Sequence, residues 1–135
     1  MKPDRHQARI LAMQMLCQLD AQGDEALTQL DTFLEESQAC PDTCEYAGDL
    51  VRRCWGGRVE SQGRIQSQLV NWELERLSPV ERNVIRVGLA ELSDGAVPPK
   101  VVINEAVEIA REYGTAESGR FVNGVLDGLW KANEN

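Results

Sequence analysis

The chain has 135 residues, of which 42% are hydrophobic and 27% are charged, as is ordinary for one globular domain. Its formal net charge is −8, which argues against a uniformly basic nucleic-acid-binding surface. No apolar run approaches the roughly 20 residues that a membrane span needs, and no secretory signal is recognisable at the start. We therefore expect a single cytoplasmic domain over residues 1–135.

The first half of the chain is predicted to form four helices, because apolar residues recur at helical spacing and strand-like alternation is nowhere sustained. The first helix should run from Asp4 to Asp20, with Gly23 closing it and Asp24 capping the second. Pro41 should start the third, and the fourth follows a Gly-Gly pair. The residues expected to face inward on the third and fourth helices are Tyr46, Leu50, Cys54 or Trp55, Val59, Ile65, Leu69 and Trp72.

The second half is predicted to form three more helices with clear start and stop signals. Ser78 and Glu81 have the spacing of a capping box, and Gly95 should end the helix that follows. Pro99 should start the sixth helix, whose inward set includes Tyr113, and Gly114 should end it. Short connections favour helices packed against their neighbours, so we expect an all-α compact bundle of about seven helices.

Charge is unevenly distributed along the chain. Residues 20–49 contain nine acids and no base, whereas the first nine residues are net positive. Lys2, Arg5, His6 and Arg9 have the spacing i, i+3, i+4 and i+7, so they share one helix face if the first helix extends back to Lys2. Such a stripe can bind the phosphates of single-stranded RNA, although an equally simple interpretation is a solvated helix start.

Residues for catalysis or for a metal centre are sparse. Cys40 and Cys44 could hold a metal, but structural zinc needs four ligands and no second close pair is present. Free reduced thiols are the better interpretation in a cytoplasmic chain. His6 is the only histidine, and the paired Glu105 and Glu108 are typical of a solvated helix face. The sequence therefore predicts no enzyme, no metal and no cofactor.

Two strings in the second half carry a family resemblance. They are Ile103-Asn104-Glu105-Ala106 and Phe121-Val122-Asn123-Gly124-Val125-Leu126-Asp127. Together with the preceding helix and the opening residues 5–18, they resemble the NusB family of transcription antitermination factors. The similarity spans nearly the whole chain, although residues 20–75 match only in pattern.

The resemblance implies a fold of two packed helical sub-bundles and a role in transcription. It implies pairing with NusE, a protein of the small ribosomal subunit, and joint binding of boxA-type single-stranded RNA in ribosomal RNA transcripts. That complex would help RNA polymerase to resist termination and assist ribosomal RNA maturation. The resemblance leaves open whether the protein is a monomer or a homodimer.

The resemblance also implies site residues by position. Those expected to bind RNA are Lys2, Arg5, His6, Arg9, Glu117, Arg120 and Phe121. Core packing is an equally good interpretation of Phe121. Those expected to bind NusE are Glu75, Arg76, Glu81 and Arg82, each of which would also suit a solvated face. Asn104 and Asn123 are expected to be structural, with their amides bonded among apolar neighbours.

Three departures from the family pattern shape the functional alternatives. The opening arginine run is thinner here, Ala90 stands where a tyrosine is common, and Cys17 stands where an aromatic is frequent. We therefore expect weaker, more salt-sensitive RNA binding, with NusE contributing a larger share. One alternative is a NusB-like protein-interaction module with weak or lost RNA binding. Another is the NusB-like domain that precedes some ribosomal RNA cytosine methyltransferases.

Overall fold

The computed structural model describes residues 2–69 and 77–134, and all of its regular structure is helical. Within these ranges the helices are α1 (Arg5–Gln22), a 3-10 segment (Asp24–Gln29), α2 (Leu30–Glu36), α3 (Pro41–Gly56), α4 (Arg58–Gln66), α5 (Pro79–Asp94), α6 (Pro99–Tyr113) and α7 (Ala116–Glu134). The predicted all-α class is confirmed. None of the helices in the described ranges combines the length and apolar character that a bilayer crossing requires.

Helix ends follow the local signals in the sequence. Asp4 caps α1, its carboxylate accepting a hydrogen bond from the Gln7 backbone N at 3.0 Å. The capping box at α5 is present in both directions between Ser78 and Glu81. Gly95 then ends α5 in the left-handed conformation, with φ of 78°, which glycine adopts without steric cost. These boundaries confirm the predicted starts and stops to within a few residues.

Several local predictions are wrong for tertiary reasons. Asp24 caps no helix; its carboxylate instead accepts a hydrogen bond from Trp55 Nε1 at 2.7 Å. Val59 and Tyr113, expected to face inward, are 79% and 39% exposed. Periodicity places a residue on a face, but whether a neighbouring helix covers that face depends on the packing. The predicted inward residue Trp72 lies outside the described residues.

The core is divided into two clusters, as expected for two packed sub-bundles. The first cluster joins α1, the 3-10 segment, α2 and α3, with Leu16, Leu19, Leu30 and Leu50 fully enclosed or nearly so. The second joins α5, α6 and α7, with residues added from α1 and α4. Helix α5 packs against five helices, namely α1, α3, α4, α6 and α7. It therefore carries the contact between the two halves, and its Val87 belongs to the first cluster.

Candidate nucleic-acid interface

The basic start of α1 is fixed against α3. The Asp4 backbone N donates a hydrogen bond to Thr43 Oγ1 at 2.9 Å, and Thr43 is fully buried. The guanidinium of Arg5 lies 5.4 Å from the ring centroid of Tyr46, within cation–π range. Lys2 and Arg5 are both exposed. These two predicted RNA-binding cations therefore face solvent, Arg5 in the first turn of α1 and Lys2 before the helix begins, so Lys2 does not extend the helix face as its spacing predicted.

Arg9 has a different environment from the other residues of the stripe. Its guanidinium binds the Glu91 carboxylate through two hydrogen bonds, Nε to Oε1 at 2.6 Å and Nη2 to Oε2 at 3.0 Å. A third bond joins Nη1 to Glu105 Oε1 at 3.0 Å, and the Tyr46 hydroxyl donates to Glu91 Oε2 at 2.8 Å. Arg9 and Glu91 are only 4% and 2% exposed. The structure thus places Arg9 beneath the surface, joining α1 to α5 and α6.

Electrostatics within this network favour the charged pair. Burial by itself would lower the pKa of Arg9, but the hydrogen bond to Glu91 and the negative charge of that carboxylate outweigh burial and raise the pKa. Burial and the bond to Glu91 also raise the pKa of Tyr46, so its hydroxyl stays a donor at neutral pH. The network is therefore a fixed ionic crosslink between helices.

His6 connects the start of α1 to α6. Its Nδ1 lies 3.0 Å from Glu105 Oε2, and the side chain is partly exposed. Among the described residues, His6, Glu105 and Glu108 form a group whose possible metal-ligand atoms lie within 4.8 Å of one another. Arg9 already neutralises Glu105, which weakens the attraction of this group for a cation. The contact places the start of α1 beside the middle of α6.

A second polar region surrounds the start of α7. Glu81, Thr115, Glu117, Arg120 and Phe121 line a groove of about 590 Å³. Glu117 and Arg120 are exposed and Phe121 is half-buried against the second core cluster, so its ring serves both packing and surface. The three family-implied residues of this helix are therefore gathered at one groove.

Hydrogen bonds at the helix junction border this groove. Ser118 Oγ accepts a bond from the Thr115 backbone N at 3.0 Å and donates to Glu81 Oε2 at 2.9 Å. The other carboxylate oxygen of Glu81 accepts bonds from Ser78. Glu81 thus ties the start of α7 to the start of α5.

Of the four residues implied for NusE binding, the structure describes Glu81 and Arg82. Glu75 and Arg76 lie outside the described residues. Arg82 is 17% exposed, donates to the Leu77 carbonyl at 3.2 Å and lies 3.5 Å from Asp20. Glu81 and Arg82 therefore already have partners within the chain, and their role in partner binding stays a prediction.

Sequence reasoning missed some of the residues that organise this region. Glu91 binds Arg9, and Tyr46 donates a hydrogen bond to Glu91. The sequence signal for this pairing is an acid at position 91 on the apolar face of α5, because a buried carboxylate needs a partner of opposite charge. The expectation for Asn104 and Asn123 is wrong: both are exposed rather than enclosed among apolar residues. The hydrophobic periodicity did not indicate that these asparagines are exposed, because each directly follows a buried residue in the sequence.

The four cysteines are free in this structure. Cys54 is buried beneath α5, and burial raises the pKa of its thiol to about 12. The pKa of Cys40 is lowered by hydrogen bonds from the side chain and backbone of Thr43, at the start of α3. Cys40 and Cys44, the pair considered as metal ligands, contact different partners, since the Cys44 thiol donates to the Leu34 and Ala39 carbonyls.

Taken together, these features define a helical binding protein with a polar, partly basic face built by α1, α6 and α7. The model of the NusB family matches residues 6–131. The chain therefore belongs to the NusB family.

Individual relatives agree over nearly the full length. The transcription antitermination protein NusB of Bdellovibrio bacteriovorus is 38% identical over 133 residues, which cover 96% of each protein. The T. maritima NusB structure has a TM-score of 0.88 at 36% identity, covering 97% of this chain and 93% of that one. A crystal structure of the antitermination factors NusB and NusE in complex with double-stranded RNA contains a chain with a TM-score of 0.86. That chain is 32% identical, and the match covers 95% of this chain and 96% of that one.

Proposed function

We propose that this protein is a transcription antitermination factor that binds boxA-type RNA of ribosomal RNA transcripts together with NusE. The observation that carries the proposal is the family match over residues 6–131, joined to the shared fold with a NusB chain solved with NusE and RNA. In this proposal the complex acts on RNA polymerase during transcription, in the cytoplasm. Its work is binding and assembly rather than catalysis.

The structure supports a division of labour among the RNA-binding candidates. Lys2, Arg5 and Arg120 are exposed cations that are free to meet phosphates. Arg9 is enclosed and paired, so it acts by holding the stripe against α5 and α6. Phe121 offers a half-buried ring beside Arg120 on which an unstacked base can pack.

The proposal is tested by fluorescence anisotropy with a short single-stranded boxA RNA, with and without NusE, across a series of salt concentrations. With about three phosphate contacts, the protein alone should show a log–log salt slope near −2, because each contact contributes about −0.7. The double variant K2Q/R5Q should lose about two of these contacts and bind correspondingly more weakly. R64Q, an arginine of α4 that donates to Ser93 Oγ at 3.2 Å, is the matched control and should bind as the parent does.

A protein-interaction module with little RNA affinity is the second candidate. It is favoured by the net charge of −8 and by the engagement of Arg9 with two carboxylates. In that case NusE is captured normally, while RNA binding without NusE is absent and K2Q/R5Q changes nothing. RNA binding that is undetectable even in the presence of NusE would reject the first proposal.

A further inference from the structure

A second groove lies between α6 and α7, beside the one at the start of α7. Its lining is mostly polar and consists of Asn104, Val107, Glu108, Arg111, Gly119, Arg120 and Asn123. The groove has a volume of about 420 Å³, within the range of about 300–1,000 Å³ typical of small-ligand pockets. Arg120 lines both grooves, so the two lie next to each other on the surface.

The two arginines of this groove are unlike most others in the protein. Arg9, Arg52, Arg53, Arg58, Arg82 and Arg86 each lie within 4.0 Å of a carboxylate. Within residues 2–69 and 77–134, no carboxylate lies within that distance of Arg111 or Arg120, and both are exposed. Uncompensated guanidinium groups are conspicuous in a chain with 22 acids against 14 Lys and Arg residues. They are free to bind an anion through their planar forks of donors.

Arg111 packs against Gly119 on the neighbouring helix, where the absence of a side chain leaves room for the arginine stem. A Cβ on Gly119 would come within 2.8 Å of Arg111 Cγ and 2.9 Å of Arg111 Nε. The arginine stem therefore lies across the backbone of α7 at Gly119, which is buried beneath it. This packing fixes the stem, so the exposed guanidinium stands at the groove.

Two carboxamides accompany the arginines. Asn104 on α6 and Asn123 on α7 are both exposed and line this groove, and neither amide is hydrogen-bonded to another described residue. A carboxamide has two donors and an acceptor, so it can pair with the edge of a nucleobase in two places. An isolated phosphate would need only cations, whereas amides beside cations suit a base joined to a phosphate.

From this arrangement we infer that the groove between α6 and α7 is a nucleotide subsite for single-stranded RNA. Arg111 and Arg120 bind the backbone phosphate, and Asn104 and Asn123 contact the base edge. The inference rests on the proposed function, and it deepens that function by assigning base selection to residues that carry no charge.

The groove also lies on the path that the other RNA-binding candidates define. At one end, the carboxylate of its only acidic lining residue, Glu108, lies near His6 and Glu105, which marks the border with α1. At the other end, Arg120 leads to Phe121 and Glu117. An extended strand of RNA can therefore cross from α1 to the start of α7 over this groove without leaving the polar face.

The test uses the full chain, alone and with NusE, and two labelled RNAs: a boxA oligomer and a scrambled oligomer of the same composition. R111Q should weaken binding of both RNAs and make the salt slope smaller in magnitude by up to about 0.7, the contribution of one phosphate, because it removes one of the two guanidinium groups that bind it. The pair N104A/N123A should leave the salt slope unchanged and reduce the preference for boxA over the scrambled RNA by about fivefold or more. R64Q again serves as the control.

G119A provides a variant that keeps every charge and every groove side chain. Its new Cβ displaces Arg111, so it should reproduce part of the affinity loss of R111Q while the protein remains folded by circular dichroism. If the parent binds RNA but R111Q and N104A/N123A bind both oligomers as the parent does, the subsite is refuted and the proposed function stands. Weakened capture of NusE with unchanged RNA binding would also refute it, since the groove would then be a protein contact. A parent that binds no RNA refutes both proposals.

Discussion

Arg9 and Glu91 illustrate how one buried residue pair organises the surface around it. The two side chains form a bidentate pair that is almost completely enclosed, with Tyr46 and Glu105 satisfying the remaining groups. Because Glu105 also contacts His6, and Tyr46 lies under Arg5, the network positions the exposed Arg5 and the partly exposed His6. Arg9 therefore contributes to the candidate interface through its neighbours.

Replacing Arg9 should lower the free energy of unfolding, because its partner Glu91 stays buried. In R9A the Glu91 carboxylate is left buried without its counter-ion, which should cost about 3–5 kcal/mol in the free energy of unfolding. R5A, on the same helix but exposed, should cost no more than about 1 kcal/mol, the value of an exposed cation–π contact. Urea unfolding followed by circular dichroism measures both. Equal costs for the two variants would contradict the assignment of Arg9 to the interior.

Helix α5 is the element that joins the two halves of the fold, and its packing requires close approach. A Cβ on Gly88 would lie 2.8 and 2.9 Å from the two Cδ atoms of Leu126 on α7, and Leu126 is fully buried. The absence of a side chain at this position thus sets how near α5 and α7 come to each other. Gly124 of α7 offers a contrast, because nothing lies within 4 Å of a Cβ built there.

The pair of variants G88A and G124A separates packing from helix propensity. G88A should destabilise the protein by about 1–3 kcal/mol, because an added methyl group overpacks the contact with Leu126. G124A should instead stabilise it by about 0.5–1 kcal/mol, since alanine loses less backbone entropy than glycine in a helix. Thermal unfolding of both variants against the parent gives the comparison. A stabilising G88A would mean that α5 and α7 can separate without cost.

The net negative charge of the whole molecule repels RNA, the ligand proposed for the face built by α1, α6 and α7. The net charge is −8, and residues 20–49 hold nine acids without a base. Part of this acidic segment reaches the basic start of α1: Asp42, Glu45 and Asp49 line a groove together with Pro3, Tyr46 and a single base, Arg52. RNA approaching Arg5 therefore meets negative charge on the adjacent helix. Salt screens such repulsion over about 8 Å at physiological ionic strength.

Neutralising one of these acids should raise RNA affinity in a salt-dependent way. E45Q removes an exposed charge next to Tyr46, and we expect boxA RNA to bind about twofold more tightly at low salt, with the gain vanishing at high salt. E25Q, an exposed acid of the 3-10 segment outside that groove, is the control and should change affinity less. Anisotropy titrations at low and high salt measure both. A gain that persists at high salt would assign the effect to a contact rather than to repulsion.

The sequence by itself determined the helical class, most helix boundaries and the family. Those features are local: caps, prolines and glycines act within a turn, and the motifs around Asn104 and Asn123 are contiguous. The spacing likewise predicted that Arg5, His6 and Arg9 share one helix face, but Lys2 precedes α1, which begins at Arg5.

Only the tertiary structure decided which residues of that face reach solvent. Arg5 and Arg9 are one helical turn apart and look alike in sequence, yet Glu91, which is 82 positions away from Arg9, encloses the second and leaves the first free. The same holds for the exposed amides of Asn104 and Asn123, which come together only because α6 and α7 pack side by side. Burial and pairing are set by contacts between distant segments, and no periodicity within one helix encodes them.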